Sequence, residues 1–368
     1  MQSGSCHSGG VTASHDPICT DPATALLGWY DRNARVLPWR APPGTATRPD
    51  PYRVWLSEVM LQQTTVAAVG PYFARFTQAW PTVAALAAAA DEDVMAAWAG
   101  LGYYARARNL LACARAVAQR GGQFPDSEAG LRELPGLGAY TAAAVAAIAF
   151  GRRAVVVDAN VERVVARLFA IDAPLPGGRA AIRAAADSIT PEVRAGDFAQ
   201  AMMDLGATIC TTRKPRCLLC PLAQDCAAQR LAAAEAFPVK APKAARPERQ
   251  GRAFWIERDG AVWLVKRADK GMLGGMRALP DDGWSARGDG SGQAPLEADW
   301  RAAGQVAHGF THFTLALSVA ASAIPAGNPP GIGEWWPLDR LAEAGLPTLF
   351  VKAARLVLAT GESGENDS

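Results

Sequence analysis

Eighteen consecutive residues without a charge, Leu134 to Gly151, set the tightest limit on what this chain can become. The run opens Leu134-Pro135-Gly136-Leu137-Gly138, where a proline and two glycines demand a tight turn. It continues from Tyr140 to Phe150 with the length and alanine content of a buried helix. Such a turn leaves backbone N–H groups facing outward at a helix start, where they suit a phosphate oxygen and touch no base edge. Pro135, Gly136 and Gly138 argue against the other use of an uncharged run, a membrane span. Val155-Val156-Val157 then leads into Asp158, placed to begin the next helix. An aspartate there either caps the helix or does chemistry.

With 368 residues, two domains are expected. Residues 1–20 carry no Lys or Arg and no apolar core, so they read as a disordered Gly/Ser-rich extension and neither a secretory signal nor a transit peptide. Residues 21–232 read as helix after helix. Asp21-Pro22 caps the first, and Tyr52 to Val69 has the periodicity of one helix with Val54, Glu58, Leu61, Gln62 and Thr65 on one side. That places Glu58 mid-helix on an interior face. Thr82 and Asp91 are expected N-caps, and Gly100, Gly102 and Gly121-Gly122 expected stops. Leu101 to Arg108 interleaves two tyrosines with two arginines, a mixture that stacks on bases and pairs with phosphates, and that equally composes an ordinary half-buried helix.

Residues 233–250 are expected to be a linker, basic and proline-bearing from Pro238 to Pro247. Beyond it the period becomes two. Ala253–Glu257, an Asp259-Gly260 turn and Val262–Val265 read as a hairpin, Phe313, Leu315, Leu317 and Val319 as a strand, and Leu349–Leu358 as a helix. Residues 251–360 thus read as a separate α+β domain, with 361–368 a frayed tail. Lys and Arg total 37 against 35 Asp and Glu, so no global field attracts nucleic acid and any DNA contact must use local patches.

Cys210, Cys217, Cys220 and Cys226 crowd into one loop with spacing C-x6-C-x2-C-x5-C. This is ligand spacing and not a disulfide framework, and both zinc and a [4Fe–4S] cluster accept four thiolates. The lack of a repeated CxxC pair tilts the reading away from zinc. Arg213, Lys214 and Arg216 lie between the first ligands, where a metal centre would hold a basic loop against a phosphodiester.

Taken together, Leu37-Pro38-Trp39-Arg40, Ser57–Thr64 (SEVMLQQT), Gly100–Asn109 (GLGYYARARN), Leu134–Ala142 (LPGLGAYTA), Val157–Asn160 (VDAN), Gln200–Cys210 (QAMMDLGATIC) and the cysteine spacing form an ordered set. On these motifs the chain resembles the helix-hairpin-helix, iron–sulfur DNA glycosylase superfamily, and within it the MutY-type adenine branch. The likeness spans roughly residues 22 to 360. It implies an all-α helix-hairpin-helix domain with a [4Fe–4S] loop at 210–226, followed by a Nudix-like lesion-recognition domain. It implies removal of adenine opposite 8-oxoguanine or guanine in duplex DNA, in an intracellular, nucleoid-associated setting, by a monomer with no membrane partner.

By the same resemblance Glu58 protonates the base, Asp158 stabilises the sugar cation, and Tyr140 and Asn160 hold Asp158 and the attacking water. Gln63 and Tyr103 are wedges, with Gln62 near the pocket. Gly136 and Gly138 grip phosphate, and Phe310, Thr311 and His312 read the opposite base. Cys210, Cys217, Cys220 and Cys226 hold the cluster. Breaking an N-glycosidic bond needs one group that gives a proton and another that stays negative, which suits two carboxylates in unlike settings. Threonine at 311 replaces the family's usual serine. Arg277-Ala278 stands where an aromatic and an acid are expected after Gly274-Gly275. No lysine occurs before Lys214, so a strand-cutting amine nucleophile is missing and an abasic site is the expected product. The rival readings are an endonuclease III-like glycosylase/lyase for oxidised pyrimidines and a non-catalytic damage-binding protein.

Overall fold

The structure is a computed structural model of the chain and describes residues 21–45, 47–241, 245–268, 272–310, 312–324 and 328–362. The terminal segments 1–20 and 363–368, expected to be disordered, lie outside the described residues, as does Thr311 of the expected lesion loop. The backbone divides into two compact units. One comprises Met1–Ala89 with Asn109–Ala241, the other Ala90–Arg108 with Pro242–Ser368.

The first unit is helical, and its caps follow from local side chains. Asp21 accepts from the Thr24 N–H at the head of Pro22–Asn33, and Asp50 accepts from the Tyr52 N–H at the head of the glutamate helix, Pro51–Leu61. That helix ends at Leu61 and does not run on to Val69. Gln63 adopts φ 57°, and Thr65 caps a new helix, Val66–Ala79, by accepting from the Ala68 N–H. Gln62 and Thr65 therefore form a corner below Glu58 and do not share its helix face. A threonine hydroxyl that caps competes with helix continuation, and here the cap wins. Thr82 caps Val83–Ala87 as expected, whereas in the second unit Asp91 is the first residue of Asp91–Trp98 under Ala90, with Glu92 and Asp93 beside it at the positive end of the helix dipole.

The uncharged run forms a turn and then the hairpin helix, Ala139–Phe150, with Thr141 to Ala149 buried throughout. Gly136 stands at φ +77°, and a Cβ there would come 2.7 Å from the Cβ of Asn109, so glycine alone fits. Val155–Val157 runs on without joining a strand to the aspartate helix, Ala159–Leu168. A third, mostly buried helix, Ala195–Thr208, packs against both, and a Cβ on its Gly206 would lie 2.6 Å from the Cβ of Asn160. The expected linker is divided. Val239 and Ala241 pair with the backbone of Leu175 in the helical unit, while Glu248 already opens a strand.

The second unit holds a mixed sheet of six strands: β1 Glu248–Arg258, β2 Ala261–Lys266, β3 Arg277–Ala278, β4 Arg301–Gly309, β5 Thr314–Ala323 and β6 Gly333–Pro337. The order is β3-β2-β1-β5-β4, with β6 also paired to β2. The Asp259-Gly260 turn joins β1 and β2 antiparallel, while β1 and β5 run parallel from Glu248 opposite Thr314 to Glu257 opposite Ala323. Leu315, Leu317 and Val319 alternate inward with Trp255, Trp284, Phe313 and Phe350, and the C-terminal helix, Thr348–Glu362, packs on β4 and β5. Arg277, unexpected from the family pattern, opens β3 by pairing with Glu334 at 2.7 Å, and its guanidinium lies 4.4 Å from the Trp336 ring centroid. Among the described residues no helix is long and apolar enough to cross a membrane.

Candidate active site

The glutamate, hairpin and aspartate helices, the helix Ala195–Thr208, the segment Arg35–Arg40 and the corner at Gln62 line a pocket of about 650 Å³. Glu58, Gln62, Gln63, Tyr140, Asp158 and Asn160, which lie far apart in the chain, all line it. Glu58 is 6 % exposed on a helix whose Val54 to Met60 are buried. Burial pushes its carboxyl up from 4.5 to about 7, and the negative charge of Asp158 pushes the same way; the Tyr140 hydrogen bond and the Arg40 charge oppose them. The Tyr140 hydroxyl donates to Glu58 Oε2 at 2.7 Å. That tyrosine was expected beside Asp158; its hydrogen bond goes instead to the other carboxylate, because the first turn of the hairpin helix faces the glutamate helix. Burial and both carboxylates raise the Tyr140 phenol well above its ordinary value, so it stays a donor.

Asp158 is an N-cap, accepting from the Val161 N–H at 2.7 Å and from Asn160 Nδ2 at 3.0 Å. Capping and chemistry are compatible, since the carboxylate that accepts these two bonds also lines the pocket. Asn160 in turn accepts from Arg163, whose guanidinium also donates to the carbonyls of Gly206 and Cys210, both at 2.8 Å. The carboxylate, the helix and the first cysteine are thus joined by hydrogen bonds.

Three groups at this site carried no role in the sequence reading. Asp204, fully buried, binds Arg35 through backbone and side chain and Arg40 at 2.8 Å, which fixes the cation that faces Glu58. Gln200, 6 % exposed, brings an amide to the pocket. Thr141 accepts from Gln62 Nε2 at 3.2 Å. A glutamine and an aspartate at i and i+4, set among Phe198, Met202, Met203 and Leu205, were the available signal for the first two.

Substituting Tyr140 by phenylalanine removes the hydrogen bond that lowers the Glu58 value. The alkaline limb of the single-turnover pH profile is therefore expected to move to higher pH; a limb that stays or falls would show that Glu58 does not set it.

Gly136 and Gly138 lie exposed at the turn, and Gly138 heads the hairpin helix. Tyr103 is 60 % exposed at φ 49° and precedes the helix Ala105–Gln119. Arg106 lies between the Trp98 and Tyr103 rings, 5.4 and 5.3 Å from their centroids, and donates to Leu101 O at 3.1 Å. In the α+β unit Phe310 does not project. It stacks on Phe313 at 4.7 Å and leans on Trp284, while His312 is exposed. The four cysteines are half-buried and lie within electrostatic reach of one another, yet among the described residues no three His, Cys, Asp or Glu side chains are placed to hold a single metal ion. Leu218 and Leu219, between the second and third, are exposed.

Residues 56–186 match the model of the HhH-GPD superfamily base excision DNA repair proteins, and residues 252–356 match the NUDIX domain. Among solved structures the chain is similar to a thermostable thymine-DNA glycosylase, with a TM-score of 0.51 and 30% identity over 57% of this chain and 95% of that one. These two likenesses place the helical unit among the helix-hairpin-helix glycosylases of base excision repair. The human adenine DNA glycosylase is 33% identical over 90% of this chain and 73% of its own length. That of Mycobacterium tuberculosis is 44% identical over 56% of this chain and 69% of its own. The chain belongs to the adenine DNA glycosylase family.

Proposed function

We propose that the protein hydrolyses the N-glycosidic bond of adenine paired with 8-oxoguanine or guanine in duplex DNA, and leaves the abasic strand uncut. The observation that carries this reading is the Glu58–Asp158 pair. One carboxyl is buried and holds its proton to about pH 7, and the other is an N-cap with two hydrogen-bond donors.

Adenine must leave the stack to reach the pocket. Glu58 then gives its proton to a ring nitrogen as the bond to the sugar breaks, so the base departs neutral. The negative Asp158 faces the oxocarbenium-like sugar until water adds and passes its proton to the carboxylate left on Glu58, which restores the acid. The Gln200 amide supplies the donor and acceptor that pair with an adenine edge. No lysine lines the pocket among the described residues, which supports hydrolysis and not Schiff-base strand cleavage. By the resemblance, Gln63 and Tyr103 are wedge residues, Gly136 and Gly138 hold phosphate, and Phe310, Thr311 and His312 read the opposite base.

The four cysteines fit a [4Fe–4S] cluster better than one tetrahedral ion. Their thiols interact mutually but are not placed to bind a single ion, and ligands around a four-iron cube stand farther apart than ligands on one metal. Cys210, Cys217, Cys220 and Cys226 would hold it, and when bound it supplies closure of the loop that carries Arg213, Lys214 and Arg216.

The test is base release from adenine:8-oxoguanine against adenine:thymine duplexes, with and without alkali. Release confined to the first, with strand breaks only after alkali, is expected. Breaks without alkali, or preference for an oxidised pyrimidine, would overturn the reading.

A further inference from the structure

One turn beyond Arg163, the aspartate helix buries a second arginine. Arg167 is 2 % exposed, and its guanidinium donates to the carbonyls of Phe237 at 3.1 Å, Cys210 at 3.3 Å, Thr211 at 2.7 Å and Thr212 at 3.1 Å, and to Cys210 Sγ at 3.3 Å. Its own carbonyl accepts from Cys226 Sγ at 3.5 Å. The side chain therefore touches the first ligand of the loop, its main chain touches the last, and Nε holds the segment just after the loop. Among the described residues no carboxylate pairs with it.

Carbonyls satisfy the donors of a guanidinium and leave its charge uncompensated. Buried charges in proteins are paired or bind metals, because an isolated one is too costly to desolvate. Four thiolates around a [4Fe–4S]²⁺ core carry a net charge of two minus, and the same four around Zn²⁺ carry the same charge. We propose that Arg167 is the buried counter-cation of the four-cysteine centre, a positioning residue that sets how readily the centre gains or loses an electron. The proposal rests on reading Cys210, Cys217, Cys220 and Cys226 as one metal site. Net charge and hydrogen bonds to the sulfurs both set the potential of such a cluster, and Arg167 supplies both to Cys210. Taking away the cation favours the oxidised, less negative state.

The experiment uses the full chain and the Arg167→Met and Arg167→Lys variants, read by visible absorption, film voltammetry and bleaching in ferricyanide. Arg167→Met is expected to shift the potential negative and to bleach faster than wild type, whereas Arg167→Lys, which keeps the charge and loses the fork, returns the potential toward wild type. An unchanged potential in a coloured, folded Arg167→Met protein overturns the proposal. Should that variant fail to fold, Arg167→Lys decides alone: a coloured protein near the wild-type potential supports it. A folded colourless protein, or one that does not fold either, leaves Arg167 a holder of carbonyls and nothing more. A colourless wild type sinks the cluster reading separately; zinc release to a chelator then becomes the readout, expected faster in Arg167→Met, and equal release overturns the counter-cation role.

Discussion

Glu58→Gln is expected to slow base release by roughly 10²- to 10⁴-fold in single turnover while leaving DNA binding nearly intact, the range usual for loss of a general acid. Glutamine keeps the shape and can still accept from Tyr140, so packing survives and only the transferable proton is lost. The same variant should change how stability depends on pH. Burial raises the folded-state value from 4.5 to about 7, so folding favours the protonated form. A raised value contributes stability that is full below about 4.5 and is lost as pH rises through 7. Above that, ionising a buried carboxyl costs about 3 kcal/mol at most. Glutamine never ionises. Thermal unfolding should therefore show variant and wild type together at pH 5 and the variant more stable at pH 8. Parallel curves would mean that Glu58 does not hold its proton in the folded protein.

Asp158→Asn separates capping from chemistry. Asparagine is as good an N-cap as aspartate, so stability should hold within about 0.5 kcal/mol. The negative charge facing the sugar cation disappears, and base release is expected to fall roughly 10²- to 10³-fold, as when a preorganised electrostatic group is removed. A second consequence follows from the pair. The Asp158 charge helps keep Glu58 protonated, so without it the Glu58 value drops and the alkaline limb of the residual activity moves to lower pH. This shift is opposite in sign to that of Tyr140→Phe. A fully active Asp158→Asn protein would reduce Asp158 to a plain cap.

The hairpin turn, the buried helix after it, the aspartate at a helix head and the period-two domain were legible because each depends on residues near in sequence. What escaped depends on partners far away. Asp204 meets Arg35 and Arg40 across most of the helical unit, and its i+4 spacing from Gln200 says nothing of those partners. The corner at Gln62 was hidden by a helical period that continues through it, and only the Thr65 cap betrays it. The grouping of Ala90–Arg108 with the C-terminal half is likewise invisible to periodicity, since Arg108 is bound there by Gly274, whose carbonyl accepts at 3.0 Å. The Tyr140 bond to Glu58 was likewise out of reach, because chain order says which residues converge and not which way a side chain turns.

Gly206 gives the site a different kind of vulnerability. The helix Ala195–Thr208, two residues short of the first cysteine, passes Asn160 with no room for a single added carbon. An inherited change there would act as a wedge between helices, tilting Asn160 away from its carboxylate while every reacting atom kept its identity. A ranking of variants by distance in sequence from the reacting residues would pass over it. The error would be one of ruler, measured along the chain when the relevant gap is across it.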